Sequence, residues 1–273
     1  MSHPNLIVVV GARPMGACIA LVGATSGIRA VQIDASDAAL DNARALHAKT
    51  LARNVQKERM TQAEADAAAA RIEYANALDA VAGASFVIEA ASERLDLKKS
   101  IFADLRSRLS EDAILATNTS SISITEIATA VPGAEDRVIG MHFFNPVPVM
   151  KLVEVIRGLA TSDATLGATL RLAESMGKTP VPANDRAGFV SNRVLMPLIK
   201  EAFFAWMEGV AEPEHIDEIM KLGCAHPMGP LRLADFIGLD VCHDIMMVLY
   251  RELGDSKFFP CPCRHFCQLG LEK

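Results

Sequence analysis

Leu6-Ile-Val-Val-Val10-Gly11-Ala-Arg-Pro-Met-Gly16 is the stretch that decides the fold. Five consecutive apolar residues read as a strand covered on both faces, the form typical of parallel sheets. Gly11 stops the run, and a helical pattern follows from about Met15. The same alternation continues outward. A second strand near 30–33 stops at Asp34, and a long helical stretch covers 38–57. Thr61 and Glu64 make a capping box that opens a further helix. Strands are expected at 85–89, 113–116, 138–141, 152–156 and 179–181, with helices at 96–109 and 163–176. Strands alternating with helices imply a parallel sheet. After Gly188 the β-branched runs cease, and 190–253 is helical, broken by Pro213, by His226-Pro-Met-Gly-Pro230 and by Gly238. The expected class is α/β: a Rossmann-like domain over 1–184, then a smaller all-α domain over 185–273, joined at Pro182-Ala-Asn-Asp185.

Composition excludes several function classes. The chain has 273 residues, 51% of them hydrophobic and 22% charged, which provides a large core and rules out intrinsic disorder. Lys plus Arg number 27 against 33 Asp plus Glu, a net charge of −6 without any basic run, so nucleic acid is not an expected partner. The longest charge-free stretch, Pro14 to Ile28, is too short and too glycine-rich to span a membrane. No basic n-region precedes the first apolar run. Six cysteines in a chain of this length do not make a disulfide framework, and the expected compartment is a reduced, cytoplasmic one.

Gly11 and Gly16 match the first and third glycines of the dinucleotide fingerprint, while Arg13 stands at the second. Asp34, 23 residues after Gly11, closes the second strand where an acid binds the adenosine ribose. A tight strand–helix turn that binds nothing gives the same glycines, but the succession of strand, helix, strand and Asp34 favours NAD over that reading and over NADP. Among seven histidines, His142 follows a strand and precedes the loop Asn145-Pro-Val-Pro148, at the sheet edge where α/β ligands bind. Glu154, twelve residues on, sits inside an apolar strand. It is either the partner that orients His142 or an exposed glutamate on an edge strand.

Five motifs in order carry a family resemblance: Asn118-Thr-Ser-Ser121, the run from Gly140 through His142 to Glu154, Gly188-Phe-Val-Ser-Asn192-Arg, Met220-Lys-Leu-Gly, and His226-Pro-Met-Gly-Pro230. The chain resembles the L-3-hydroxyacyl-CoA dehydrogenases, above all the bacterial 3-hydroxybutyryl-CoA dehydrogenases, from about residue 6 to Lys257. The resemblance implies reversible NAD-dependent oxidation of (S)-3-hydroxyacyl-CoA to 3-ketoacyl-CoA in fatty-acid or butanoate metabolism. It casts His142 as base, Glu154 as its support, Ser120 (or less readily Ser121) on the substrate oxygen, and Asn192 on His142 and the substrate carbonyl. The active site would then be a cleft between the domains. Gly11, Gly16, Asp34, Glu93, Lys98 and Asn118 take the NAD positions, and Arg53 and Lys57 the CoA positions. Lys49, Arg53 and Lys57 share one helix face, which equally suits an ordinary solvated surface.

Three other functions stay open: a 3-hydroxyadipyl-CoA dehydrogenase, an L-gulonate dehydrogenase, or a catalytically weakened protein that binds NAD or acyl-CoA. The tail departs from the family after Lys257, reading Phe-Phe-Pro-Cys-Pro-Cys-Arg-His-Phe-Cys-Gln, as a truncated or frame-shifted end would. The spacing of Cys261, Cys263, His265 and Cys267 fits no standard zinc motif, so no metal is expected. Helical domains of this family form homodimers, and the altered tail bears on that contact.

Overall fold

The computed structural model describes residues 4–261. Two compact units divide after Asp185. The first holds one eight-stranded sheet in the order β3-β2-β1-β4-β5-β6-β7-β8. Its strands are β1 (Leu6–Val10), β2 (Arg29–Ile33), β3 (Ile72–Ala75), β4 (Phe86–Glu89), β5 (Ile114–Thr117), β6 (Val138–Phe143), β7 (Leu152–Arg157) and β8 (Thr179–Asn184). Helices of this unit are α1 (Pro14–Thr25), α2 (Asp37–Gln56), α3 (Gln62–Ala70), α4 (Leu95–Arg108), α5 (Ile124–Ala128) and α6 (Asp163–Ser175). The first six strands follow the doubly wound order 3-2-1-4-5-6. Ile7, Val9, Ile19, Phe86 and Met141 belong to the core that packs the sheet against its helices. Thr61 and Glu64 make the expected capping box at the start of α3.

Three expectations need correcting. The sheet is not wholly parallel, because β6 and β7 run antiparallel, with His142 directly opposite Glu154. Eight residues separate these strands, fewer than the dozen or more that a parallel crossover requires. Strand β6 also extends past Met141 to Phe143, so His142 lies inside the ladder rather than beyond it. Finally, Pro182-Ala-Asn184 is not a linker but the end of β8, paired in parallel with β7. As the last strand of the sheet, β8 tolerates Pro180 and Pro182, whose missing N–H groups would interrupt a central strand.

The second unit contains α7 (Ser191–Met207), α8 (Pro213–Gly223), α9 (Pro230–Ile237) and α10 (Leu239–Leu253). Pro213 and Pro230 each occupy the first helical turn, where a missing N–H costs nothing. Met196, Phe203, Ile216, Leu231, Met246 and Leu249 form its core. Cys261 is buried there, whereas Cys263, His265 and Cys267 lie outside the described residues. Among the described residues no helix is long and apolar enough to cross a membrane.

Candidate active site

The antiparallel β6–β7 pair turns a spacing of twelve residues into a contact. His142 Nδ1 lies 2.7 Å from Glu154 Oε2, and both side chains are buried. An ionised carboxylate only accepts, so Nδ1 carries the proton and the lone pair of the neutral ring falls on Nε2. The ring packs on Phe144 with centroids 4.6 Å apart. Glu154 is 4% exposed on a strand flanked by β6 and β8, which removes the reading of an exposed edge residue. Such a carboxylate stabilises an imidazolium, which equips His142 to take up a proton.

Next to it, the carboxyl ends of β1, β4 and β5 carry the other candidates. Asn118 follows β5, and its Oδ1 accepts from the Phe143 N–H at 2.9 Å, fastening that strand end to the residue after His142. The loop Thr119-Ser120-Ser121 is gathered around Glu93. Oε1 of Glu93 accepts from Thr119 Oγ1, from the Ser120 N–H (2.9 Å) and from the Ser121 N–H and hydroxyl (3.2 Å each). A longer 3.4 Å contact reaches the Ser120 hydroxyl. Burial pushes the Glu93 carboxyl up, but Lys98 and the Thr119 and Ser120 hydrogen bonds outweigh it and hold the group below the usual range.

Lys98 is 1% exposed; its Nζ lies 2.8 Å from Glu89 and 3.3 Å from Glu93. The sequence offers Glu89 only as the last residue of the expected strand 85–89. An acid at the end of a short apolar strand looks like a solvated strand terminus, and its partners Lys98 and Thr117 are 9 and 28 residues away.

The glycine loop must be judged on packing first. A Cβ on Gly11 would lie 2.6 Å from the Ala90 carbonyl oxygen at a φ of +106°, and one on Gly16 would lie 1.9 Å from that of Gly11. Both glycines are therefore required by the turn itself. The fit to a dinucleotide rests on what surrounds them. A cavity of about 350 Å³ is lined by Gly11, Arg13, Asp34, Asn76 and Ser92, at the N-terminus of α1. Asp34 accepts from the Ala12 N–H (2.8 Å) and the Ser36 N–H (2.9 Å), so its carboxylate is fixed at the cavity wall. Arg13, the N-cap of α1, has φ −67° and ψ 169°, a conformation that any residue adopts.

Arg53 lies in the last turn of α2, and Lys57 is its C-cap. Both are exposed, and no carboxylate pairs with either among the described residues. Asn192, in the second unit, is the second residue of α7 and is 9% exposed. Among the described residues no group of three His, Cys, Asp or Glu could hold a metal ion.

Comparison with known proteins identifies the family. Residues 6–186 match the model for the 3-hydroxyacyl-CoA dehydrogenase NAD binding domain, and 188–268 match that for the 3-hydroxyacyl-CoA dehydrogenase C-terminal domain. A probable 3-hydroxybutyryl-CoA dehydrogenase of Bacillus subtilis is 52% identical over 94% of this chain and 89% of its own. A 3-hydroxybutyryl-CoA dehydrogenase of Bradyrhizobium diazoefficiens is 47% identical over 93% of this chain and 86% of its own. The crystal structure of an (S)-3-hydroxybutyryl-CoA dehydrogenase from Ralstonia eutropha superposes with a TM-score of 0.91 at 49% identity, covering 94% of this chain and 90% of that one.

Proposed function

This chain belongs to the 3-hydroxyacyl-CoA dehydrogenase family, and we propose that its substrate pair is (S)-3-hydroxybutyryl-CoA and acetoacetyl-CoA. It is an NAD-dependent oxidoreductase acting on a 3-hydroxyacyl-CoA. NAD, when bound, supplies the hydride acceptor for the C3–H bond. Gly11 and Gly16 keep the turn open to it, and Asp34 takes the ribose hydroxyls. Glu93, Lys98 and Asn118 complete that side, Glu93 and Lys98 through the loop they hold. His142 removes the C3 hydroxyl proton through Nε2, and Glu154 stabilises the imidazolium that forms. Ser120 and Asn192 bind the substrate oxygens, while Arg53 and Lys57 meet the CoA phosphates.

The observation that carries this reading is the buried His142–Glu154 pair. Its test is acetoacetyl-CoA reduction by NADH, followed in the wild type and in His142→Gln. General acid–base catalysis contributes roughly 10²–10⁴-fold, so kcat should fall by at least about 100-fold, with NADH affinity within a few-fold. Retention of more than about a tenth of kcat would remove His142 as the base. Turnover of L-gulonate or 3-hydroxyadipyl-CoA in preference to the four-carbon substrate would reassign the substrate.

A homodimer in a reduced, cytoplasmic compartment completes the proposal. Free thiols at Cys18, Cys224 and Cys242 support the compartment. Exposed apolar side chains of the helical unit, Ile219 and Leu222 among them, support the dimer.

A further inference from the structure

We propose that Glu89 is a positioning residue for this reaction: from the buried end of β4 it fixes Lys98, through Lys98 it fixes Glu93, and so it sets the pose of Ser120. The proposal rests on the assignment of Ser120 to the substrate oxygen. Glu89 is wholly buried, and a carboxylate there is costly unless every oxygen is satisfied. It is satisfied: Lys98 Nζ donates at 2.8 and 3.0 Å, Thr117 Oγ1 at 2.7 Å and the Ala91 N–H at 2.6 Å. Lys98 is equally buried and cannot find a counter-ion in solvent. One ammonium therefore serves two carboxylates, held tightly by Glu89 and more loosely, at 3.3 Å, by Oε2 of Glu93.

The two oxygens of Glu93 divide their work. Oε2 faces Lys98, and Oε1 gathers the amides and hydroxyls of the serine loop. A carboxylate is rigid and planar, so moving Oε2 moves Oε1. Without the Glu89 charge, Lys98 has only Glu93 to neutralise it and shifts toward that group. Glu93 Oε1 then leaves the place where it meets the Ser120 and Ser121 N–H groups. Loss of a purely structural ion pair has a different consequence. It lowers the stability of the fold but leaves Ser120 contributing its usual share in every molecule that remains folded.

A double-mutant cycle on the full chain separates the two. The proteins are wild type, Glu89→Gln, Ser120→Ala and the double variant, with kcat for acetoacetyl-CoA reduction read at saturating NADH. Glu89→Gln should lower kcat by about 10- to 100-fold. Ser120→Ala should cost about tenfold or more in the wild type but no more than about twofold in the Glu89→Gln background, because the hydroxyl is already misplaced. Amide hydrogen exchange at Ser120 and Ser121 should speed up at least about tenfold in Glu89→Gln. Equal costs of Ser120→Ala in both backgrounds, or unchanged exchange, would overturn the proposal. Should Glu89→Gln fail to fold, Glu89→Asp keeps the charge but shortens its reach by one methylene, and the same criteria apply to it. A wild-type protein inactive on every 3-hydroxyacyl-CoA would defeat the functional reading instead. The exchange rates would then still decide whether Glu89 holds the loop.

Discussion

Arg13 is an exposed position of the glycine loop, and it lines the cavity beside Asp34. Gly11 and Gly16 are imposed by neighbouring carbonyl groups, whereas the backbone at Arg13 accommodates any side chain. Arg13 stands at the N-terminus of α1, where the pyrophosphate of a bound dinucleotide would meet the helix amides. A guanidinium could pair with that phosphate. An exposed ion pair, however, is worth about 1 kcal/mol or less, whereas obstructing the approach acts on every binding event. Arg13→Gly should therefore tighten NADH binding by roughly 5- to 30-fold, or about 1–2 kcal/mol. Fluorescence titration at two salt concentrations reads this directly. Weaker binding in the variant, most marked at low salt, would make Arg13 a phosphate ligand. Legibility in the sequence followed the same division between local and distant causes. The His142–Glu154 spacing was visible because both residues lie on adjacent strands of one hairpin. Glu89 was invisible because its partners arrive from α4 and β5 through the tertiary fold.

At the level of elements, seven of the eight strands are legible as apolar runs, and β3, which alternates apolar and polar residues right after an Ala-rich helix, is not. The strand β3, Ile72-Glu-Tyr-Ala75, lacks the continuous apolar run that marks the equally short β4 and β5, and α5, with five residues, is too short for a helical period to emerge. The antiparallel turn after β6 was legible in principle from the eight-residue connection. His226-Pro-Met-Gly-Pro230 marked a helix break, but its reason lies elsewhere. Asp217, on α8, accepts the Leu231 and Arg232 N–H groups at 2.8 and 2.9 Å and so caps α9 from a distance. A Cβ at Gly229 would lie 2.2 Å from the Asp217 Cβ, so glycine makes room for the cap. Asp217→Ala should lower stability by about 1–2 kcal/mol, the usual loss for a removed cap. Denaturant melts followed by circular dichroism test this, and an unchanged midpoint would show that the cap contributes nothing. A second tie joins α1, α2 and β3. His47 donates from Nε2 to the Ala17 carbonyl (2.8 Å) and accepts the Tyr74 hydroxyl at Nδ1 (2.7 Å). Burial pushes its pKa below the ordinary value, against the upward pull of the Ala17 bond. The unfolded chain takes up a proton near pH 6.5 while the folded chain resists it, so stability is intact above that pH and declines as pH falls toward the folded pKa. Between pH 7.5 and 5.5 the wild-type Tm should drop more than that of His47→Gln. Parallel slopes would exclude His47 as the source.

Across the whole molecule, exposed apolar side chains are unevenly spread, and this bears on association. Nine of the thirteen large apolar side chains exposed among the described residues fall in residues 186–273, a third of the chain. Isolated exposed apolar residues are ordinary, but their concentration on one unit supports the proposed homodimer. On α8, Ile219 and Leu222 are 61% and 78% exposed and stand three residues apart, hence on one helix face. A second copy of the chain is the simplest cover, because a two-fold interface sets each patch against its own copy. The chain, 29.3 kDa, should then sediment at twice that mass at about 10 µM. Ile219→Glu combined with Leu222→Glu introduces two acids per subunit into a desolvated contact, where like charges face one another, and should yield monomers. NADH binding should survive, since the stretch that matches the NAD binding domain, residues 6–186, is the first unit. A wild-type chain that sediments as a monomer would defeat the proposed dimer. A double variant that stays dimeric would move the interface off α8 and onto the other exposed apolar residues of the helical unit.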